Sequence, residues 1–201
     1  FSFIENPNND IFNLNIIFDM GQDNNPKLSL AAGFLDYLGT DKFSPEQLKQ
    51  EFYKIGISYN VSSRNDKTYF TLSGLNENLD AGLSLFEHLL TNAKSDKKTY
   101  IKYAESILKS RENGKTQKDN IFWDGLMSFA KYGEKSRLRN IFSKDELLSM
   151  NPTELLNEVK ELSNYKQRIF YYGNSMEDAK KSLIKHFNEL SYNTFINVPS
   201  N

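Results

Sequence analysis

Two short apolar runs joined by a polar turn set the first constraint on this chain. Ile57, Tyr59 and Val61 alternate with polar neighbours, Arg64-Asn65-Asp66-Lys67 turns the chain, and Tyr69-Phe70-Thr71-Leu72 runs back. A period of two describes half-buried strands, and the short connection makes them an antiparallel hairpin. A sheet with one apolar face must be covered by another layer. Phe12, Leu14, Ile16 and Phe18 repeat the same period, and Arg168-Ile169-Phe170-Tyr171-Tyr172-Gly173 reads as a short apolar strand closed by glycine.

Between these runs the pattern is helical. Leu28, Ala31, Ala32, Leu35 and Leu38 give one apolar face to a stretch from Pro26 to Thr40, with Gly39 suited to stop it. Ser44-Pro45-Glu46-Gln47 opens a second helix with a capping box and proline in the first turn, and Gly56 ends it. Leu79, Leu83, Phe86 and Leu90 mark a third, from about 78 to 93, which carries His88 off its apolar row as a surface or boundary residue. Residues 96 to 113 form a long polar helix seamed by Tyr100, Tyr103 or Ala104, Ile107 and Leu108, stopped by Gly114.

The stretch Ile121 to Ala130 holds the only tryptophan, and its aromatic stripe is expected in the core. Lys131, Lys135, Arg137 and Arg139 then read as a solvated loop. Ser143-Lys144-Asp145-Glu146 and Asn151-Pro152-Thr153-Glu154 start two capped helices. A last helix, Met176 to Phe187, is seamed by Ala179, Leu183, Ile184 and Phe187. Hairpin-paired strands with helices in blocks predict an α+β fold, a two-layer sandwich with a mainly antiparallel sheet and helices packed on one face.

Composition narrows the chemistry. The 201 residues carry a net charge of −1, so nothing global draws the chain to nucleic acid. Cysteine is absent, which excludes disulfides and thiolate metal sites. The two histidines, His88 and His186, lie far apart, and no window contains a close histidine pair with a glutamate. No run approaches the roughly twenty apolar residues that cross a bilayer.

One stretch carries a resemblance. Gly33-Phe34-Leu35-Asp36-Tyr37, followed by Gly39-Thr40, resembles the metal-binding helix of insulinase and pitrilysin type zinc peptidases, the group that includes mitochondrial processing peptidase. Those enzymes read H-x-x-E-H there: two imidazoles one turn apart hold zinc, and the glutamate activates bound water. On that alignment Gly33 and Tyr37 replace both histidines, and Asp36 keeps a shorter carboxylate at the base position. The resemblance spans roughly residues 9 to 190, including Leu72-Ser73-Gly74-Leu75, Leu126 to Gly133, Ser143 to Leu148 and Ile169 to Gly173. The family's third ligand is a later glutamate. Glu105 and Glu112 fall in that zone on one helix face, with Ser110 or Arg111 as alternative aligned positions and a solvent-facing pair as the plainer reading.

The resemblance implies a non-catalytic domain, most like the first domain of the family's second half. Residues 1–192 would be that inactive domain and 193–201 a tail or linker, so the chain is read as a piece of a longer protein. It further implies no cofactor in this domain, zinc in a catalytic half on the same or a neighbouring chain, and an unfolded peptide as substrate. A structural or protein-interaction domain with no role in proteolysis is the alternative. A bacterial periplasm or cell envelope is the compartment such a relative suggests.

Overall fold

The structure is a computed structural model that describes residues 1–135, 141–165 and 167–187. The expected tail at 193–201, with Arg137 and Arg139 of the basic loop, lies outside the described residues. Two compact units are present: residues 1–95 with 153 onward, and residues 96–152.

The first unit is built on the sheet. Strands β1 (Ser2–Glu5), β2 (Ile11–Phe18), β4 (Ile57–Arg64), β5 (Lys67–Leu75) and β7 (Gln167–Gly173) lie in the order β1-β7-β2-β5-β4. β4 and β5 are the expected hairpin: Arg64 pairs with Lys67 across a two-residue turn in which Asn65 takes the left-handed conformation. β2 pairs antiparallel with both β5 and β7, whereas β1 runs parallel to β7. β1 carries no long periodic signal, which is why the sequence left it unassigned. A two-stranded ribbon of β3 (Gly39–Thr40) and β6 (Ala93–Lys94) completes the strands.

Alternation divides the sheet cleanly. Phe12, Leu14, Ile16, Phe18, Phe70, Leu72 and Tyr171 point to one face and are all buried. Helices α1 (Lys27–Phe34), α2 (Pro45–Lys54), α3 (Leu79–Asn92) and α8 (Met176–His186) pack on the strands there. Rings interlock in this layer: Phe70 meets Phe86 edge-on at 5.5 Å, and Tyr59 lies between Phe52 and Phe86 at 4.6 and 5.7 Å. α7 (Pro152–Lys160) buries Leu155, Leu156 and Val159. It also meets the start of α1, where the Asn25 amide donates to Glu158 at 2.6 Å.

α2 starts as its sequence dictates. Ser44 Oγ accepts from Gln47 N, Gln47 reaches back to Ser44 N, and Gly56 follows at a φ of 61°. α1 ends earlier than its apolar pattern predicts. The helix closes at Phe34, Leu35–Tyr37 tighten into a 3-10 turn, and Leu38 is extended. The next residues belong to β3, and Gly39 is required there: a Cβ on it would sit 2.4 Å from the carbonyl oxygen of Phe43. In α8 the expected seam is corrected as well. Ala179 and Leu183 are buried, but Ile184 is 65% exposed, and His186 turns inward in its place.

The second unit is helical. Asp96 caps α4 (Lys97–Gly114) by accepting from Thr99 N at 2.9 Å. Tyr100, Tyr103 and Ala104 are its buried seam, and the Tyr100 hydroxyl donates to the Leu147 carbonyl at 2.7 Å. Leu147 belongs to α6 (Lys144–Ser149), whose Ser143–Glu146 capping box forms as expected. Lys97 Nζ donates to the carbonyls of Leu148 and Met150 that follow.

The aromatic stripe is a correction. Asn120–Met127 form a wide helix of the π type that runs into α5 (Ser128–Tyr132), and the stripe is not core. Trp123 and Leu126 are each 60% exposed, and Trp123 makes an edge contact with Phe122 at 4.9 Å. Apolar residues crowd nearly every position of this segment, so they surround the helix instead of forming the single seam that one neighbour could cover.

Candidate functional site

Gly33 lies half-buried in the last turn of α1, and Asp36 and Tyr37 lie on the 3-10 turn that follows. Tyr37 is 38% exposed. The change of helix type has a geometric consequence. An α-helix advances about 100° per residue and a 3-10 helix about 120°, so residues 33 and 37 are rotated off the shared face that an i, i+4 pair needs.

Asp36 is the one carboxylate in this segment. Although the residue as a whole is exposed, burial around its carboxyl pushes it above the ordinary range, and Lys49 on α2 only partly offsets this. Across from it, the Tyr59 phenol is pushed up to about 12, chiefly by burial and then by the charge of Asp36. The donor set of the segment is therefore a glycine, a carboxylate and a phenol. That set does not fit zinc, which takes imidazole, thiolate and carboxylate donors in a tetrahedron. Glu105 and Glu112 on α4 are exposed, and Glu112 is engaged by Lys115 at 2.7 Å. Among the described residues no three His, Asp or Glu side chains gather where they could hold a metal ion.

The Gly-Thr that closes the motif serves the fold. Thr40 Oγ1 accepts from the backbone N–H groups of Lys42 and Phe43 and lies 2.9 Å from His88 Nε2. Asn92 contacts the other ring nitrogen at 3.1 Å, and Asp41 lies 3.3 Å from Nε2. His88 thus ties β3 to α3 at the boundary of the fold, as its position off the apolar row suggested.

The sequence reading passed over two features. The first is the sheet face opposite the helices. Asn13, Asn15, Thr71, Ser73, Ser58 and Asn60 occupy adjacent outward positions on β2, β5 and β4. They form a belt of amides and hydroxyls, in which Asn15 donates to Asn13 at 2.5 Å, Thr71 to Asn15 at 2.9 Å, and Ser58 and Ser73 share a bond at 2.8 Å. Tyr69, Phe170 and Tyr172 stand half-buried on the same side, with Ile4, Ile11 and Leu75 exposed beyond them. Among the described residues β4 pairs with β5 alone and is an edge strand of this sheet. An edge strand can take an extended peptide through backbone hydrogen bonds, and the belt beside it carries no charge, whereas Arg64, Lys67 and Arg168 stand at outward positions toward one end of the same face. The alternating asparagines and serines were the available signal.

The second feature is the junction of α3 and α8. Both nitrogens of His186 lie 2.9 Å from carboxylate oxygens, Nδ1 from Glu87 and Nε2 from Asp80. These partners are separated by 99 and 106 residues in sequence, beyond the reach of any spacing rule.

Comparison with known proteins agrees with this geometry. The family model described as Insulinase (Peptidase family M16) matches residues 4–140. The beta subunit of mitochondrial-processing peptidase from Neurospora crassa is 26% identical over 138 residues, which are 67% of this chain and 28% of that protein. Among solved structures, a peptidase M16 inactive domain from Pseudomonas fluorescens superposes with a TM-score of 0.72 at 18% identity, covering 93% of this chain and 47% of that one. The periplasmic protease PqqL from Escherichia coli superposes with a TM-score of 0.70 at 13% identity, covering 96% of this chain and 21% of that one. At such identities the superpositions establish the fold: a five-stranded sheet layered with helices, as the order of elements predicted. The chain spans well under a third of its curated relative and about half or less of these solved chains. From the match over most of its length, this chain belongs to the insulinase family of peptidases, family M16.

Proposed function

We propose that this chain is a non-catalytic wall domain of a zinc metallopeptidase, helping to enclose an unfolded peptide opposite a catalytic half that carries the metal. The observation that supports this is the pairing of a motif segment without imidazole ligands, Gly33 to Tyr37, with a belt of amides and hydroxyls beside the edge strand β4. In this role β4 offers backbone groups to an extended peptide, and the amide and hydroxyl belt solvates peptide polar groups without selecting for charge. The chain itself moves no proton and cleaves no bond. Its contribution is to hold substrate and exclude bulk water.

The test is reconstitution. A catalytic half bearing H-x-x-E-H, from the same or a neighbouring gene, is assayed on a quenched fluorescent unfolded peptide with and without this chain. Hydrolysis should rise when both are present, and Asn15→Asp with Thr71→Glu, which place charge on the open face, should raise KM while the fold is kept. A catalytic half that is equally active alone and does not bind the chain would favour a structural or protein-interaction domain outside proteolysis.

A further inference from the structure

The α3–α8 junction carries a device that the motif segment lacks. Asp80 and Glu87 are two turns apart on α3 and present carboxylates on one face, with His186 between them at the end of α8. The His186 side chain is 7% exposed. An ionised carboxylate only accepts hydrogen bonds, so both ring nitrogens must donate, and only the doubly protonated imidazolium has two N–H groups. A cation in the last turn also suits the negative end of the helix dipole. When the ring is neutral, one nitrogen presents a lone pair to a carboxylate at the same short distance, and an attraction becomes a repulsion.

We propose that the Asp80–His186–Glu87 bridge is a proton-operated latch. It holds α8 against α3 and β7 while the imidazole carries both protons, and it lets α8 loosen when one proton is lost.

The neighbouring charges fit this role. Lys185 Nζ donates to the second oxygen of Asp80 at 2.7 Å. That lysine is the largest cause holding the Asp80 carboxyl below its ordinary range, with the bond from His186 adding to it. Asp80 therefore stays ionised in mild acid, and its part of the bridge is lost only as pH falls through that lowered range. On β7, Arg168 is paired with Asp19 and the Tyr171 hydroxyl donates to Asn76, so neither competes for the ring. The other histidine, His88 of α3, is engaged with Thr40 and Asn92. Opening on the alkaline side uncovers Ala179 and Leu183, the buried residues of α8, and the strand beneath them.

Hydrogen–deuterium exchange on the whole chain tests the latch, with protection in α8 corrected for intrinsic exchange between about pH 6 and about pH 8.5. Wild-type protection in α8 should fall about tenfold or more across this range while β2 is unchanged, as expected for a lost hydrogen bond between charged groups. His186→Gln should be weakly protected at every pH, without the transition. Glu87→Gln should stay protected at every pH, because an amide turns to donate to a bare ring nitrogen. Wild-type protection that does not change with pH would overturn the proposal. So would a Glu87→Gln variant that keeps the wild-type transition, and that variant decides the matter if His186→Gln fails to fold.

Discussion

Asp36 and Asp80 are both aspartates with a lysine within electrostatic reach, yet the fold pushes their carboxyls in opposite directions. At Asp36 burial dominates and Lys49 only partly offsets it, so the charged form is disfavoured. At Asp80 hydrogen bonds from Lys185 and His186 outweigh a smaller burial, so the charged form is favoured. The position that family resemblance marks as chemical holds a carboxylate whose charge its surroundings disfavour. The position that no motif marks has its ionic partners in place. Family register and a functioning constellation of charges are separate properties of this molecule.

The motif segment is part of the core, and the largest effects are expected there. Phe34 is fully buried, so Phe34→Ala is expected to cost about 3–5 kcal/mol in chemical denaturation. A cost below about 1 kcal/mol would show that the segment is not core. Gly39→Ala places a methyl group 2.4 Å from the Phe43 carbonyl. It should cost about 1–3 kcal/mol, because backbone must shift to accept it.

The two aspartates then give smaller effects of opposite sign. A lowered carboxyl contributes stability that is present above its unfolded range and lost as pH falls through its folded one. Asp80→Asn should therefore destabilise at neutral pH, by about 1 kcal/mol or less given its solvent exposure, and the difference should vanish in strong acid. A raised carboxyl does the reverse, opposing folding once pH rises through its folded range. Asp36→Asn should be neutral or slightly stabilising near pH 7, by a few tenths of a kcal/mol. Equal signs for the two variants would remove the contrast between the sites.

Local order was legible in the sequence because its causes are local. The hairpin at 57–75 follows from alternation and a polar turn, and the Ser44–Gln47 and Ser143–Glu146 boxes follow from residue types three apart. The motif alignment placed Gly33, Asp36 and Tyr37 on one segment, but not the 3-10 turn that rotates them, which leads directly into the pairing of Gly39 and Thr40 with the distant β6. The parallel docking of Ser2–Glu5 on β7 joins residues more than a hundred and sixty positions apart, and periodicity does not register such pairing. The same holds for His186 with Asp80 and Glu87. The aromatic stripe at 121–130 was misread because apolar composition was taken as a guide to burial, whereas burial needs a covering surface as well.

Metal analysis asks whether the segment from Gly33 to Tyr37 holds zinc. The purified chain is equilibrated with excess zinc, passed through a desalting column and measured for bound metal per chain. A motif segment offering Gly33, Asp36 and Tyr37 predicts no stoichiometric zinc. One tightly held zinc per chain, lost on Asp36→Ala, would show that the segment is a metal site after all.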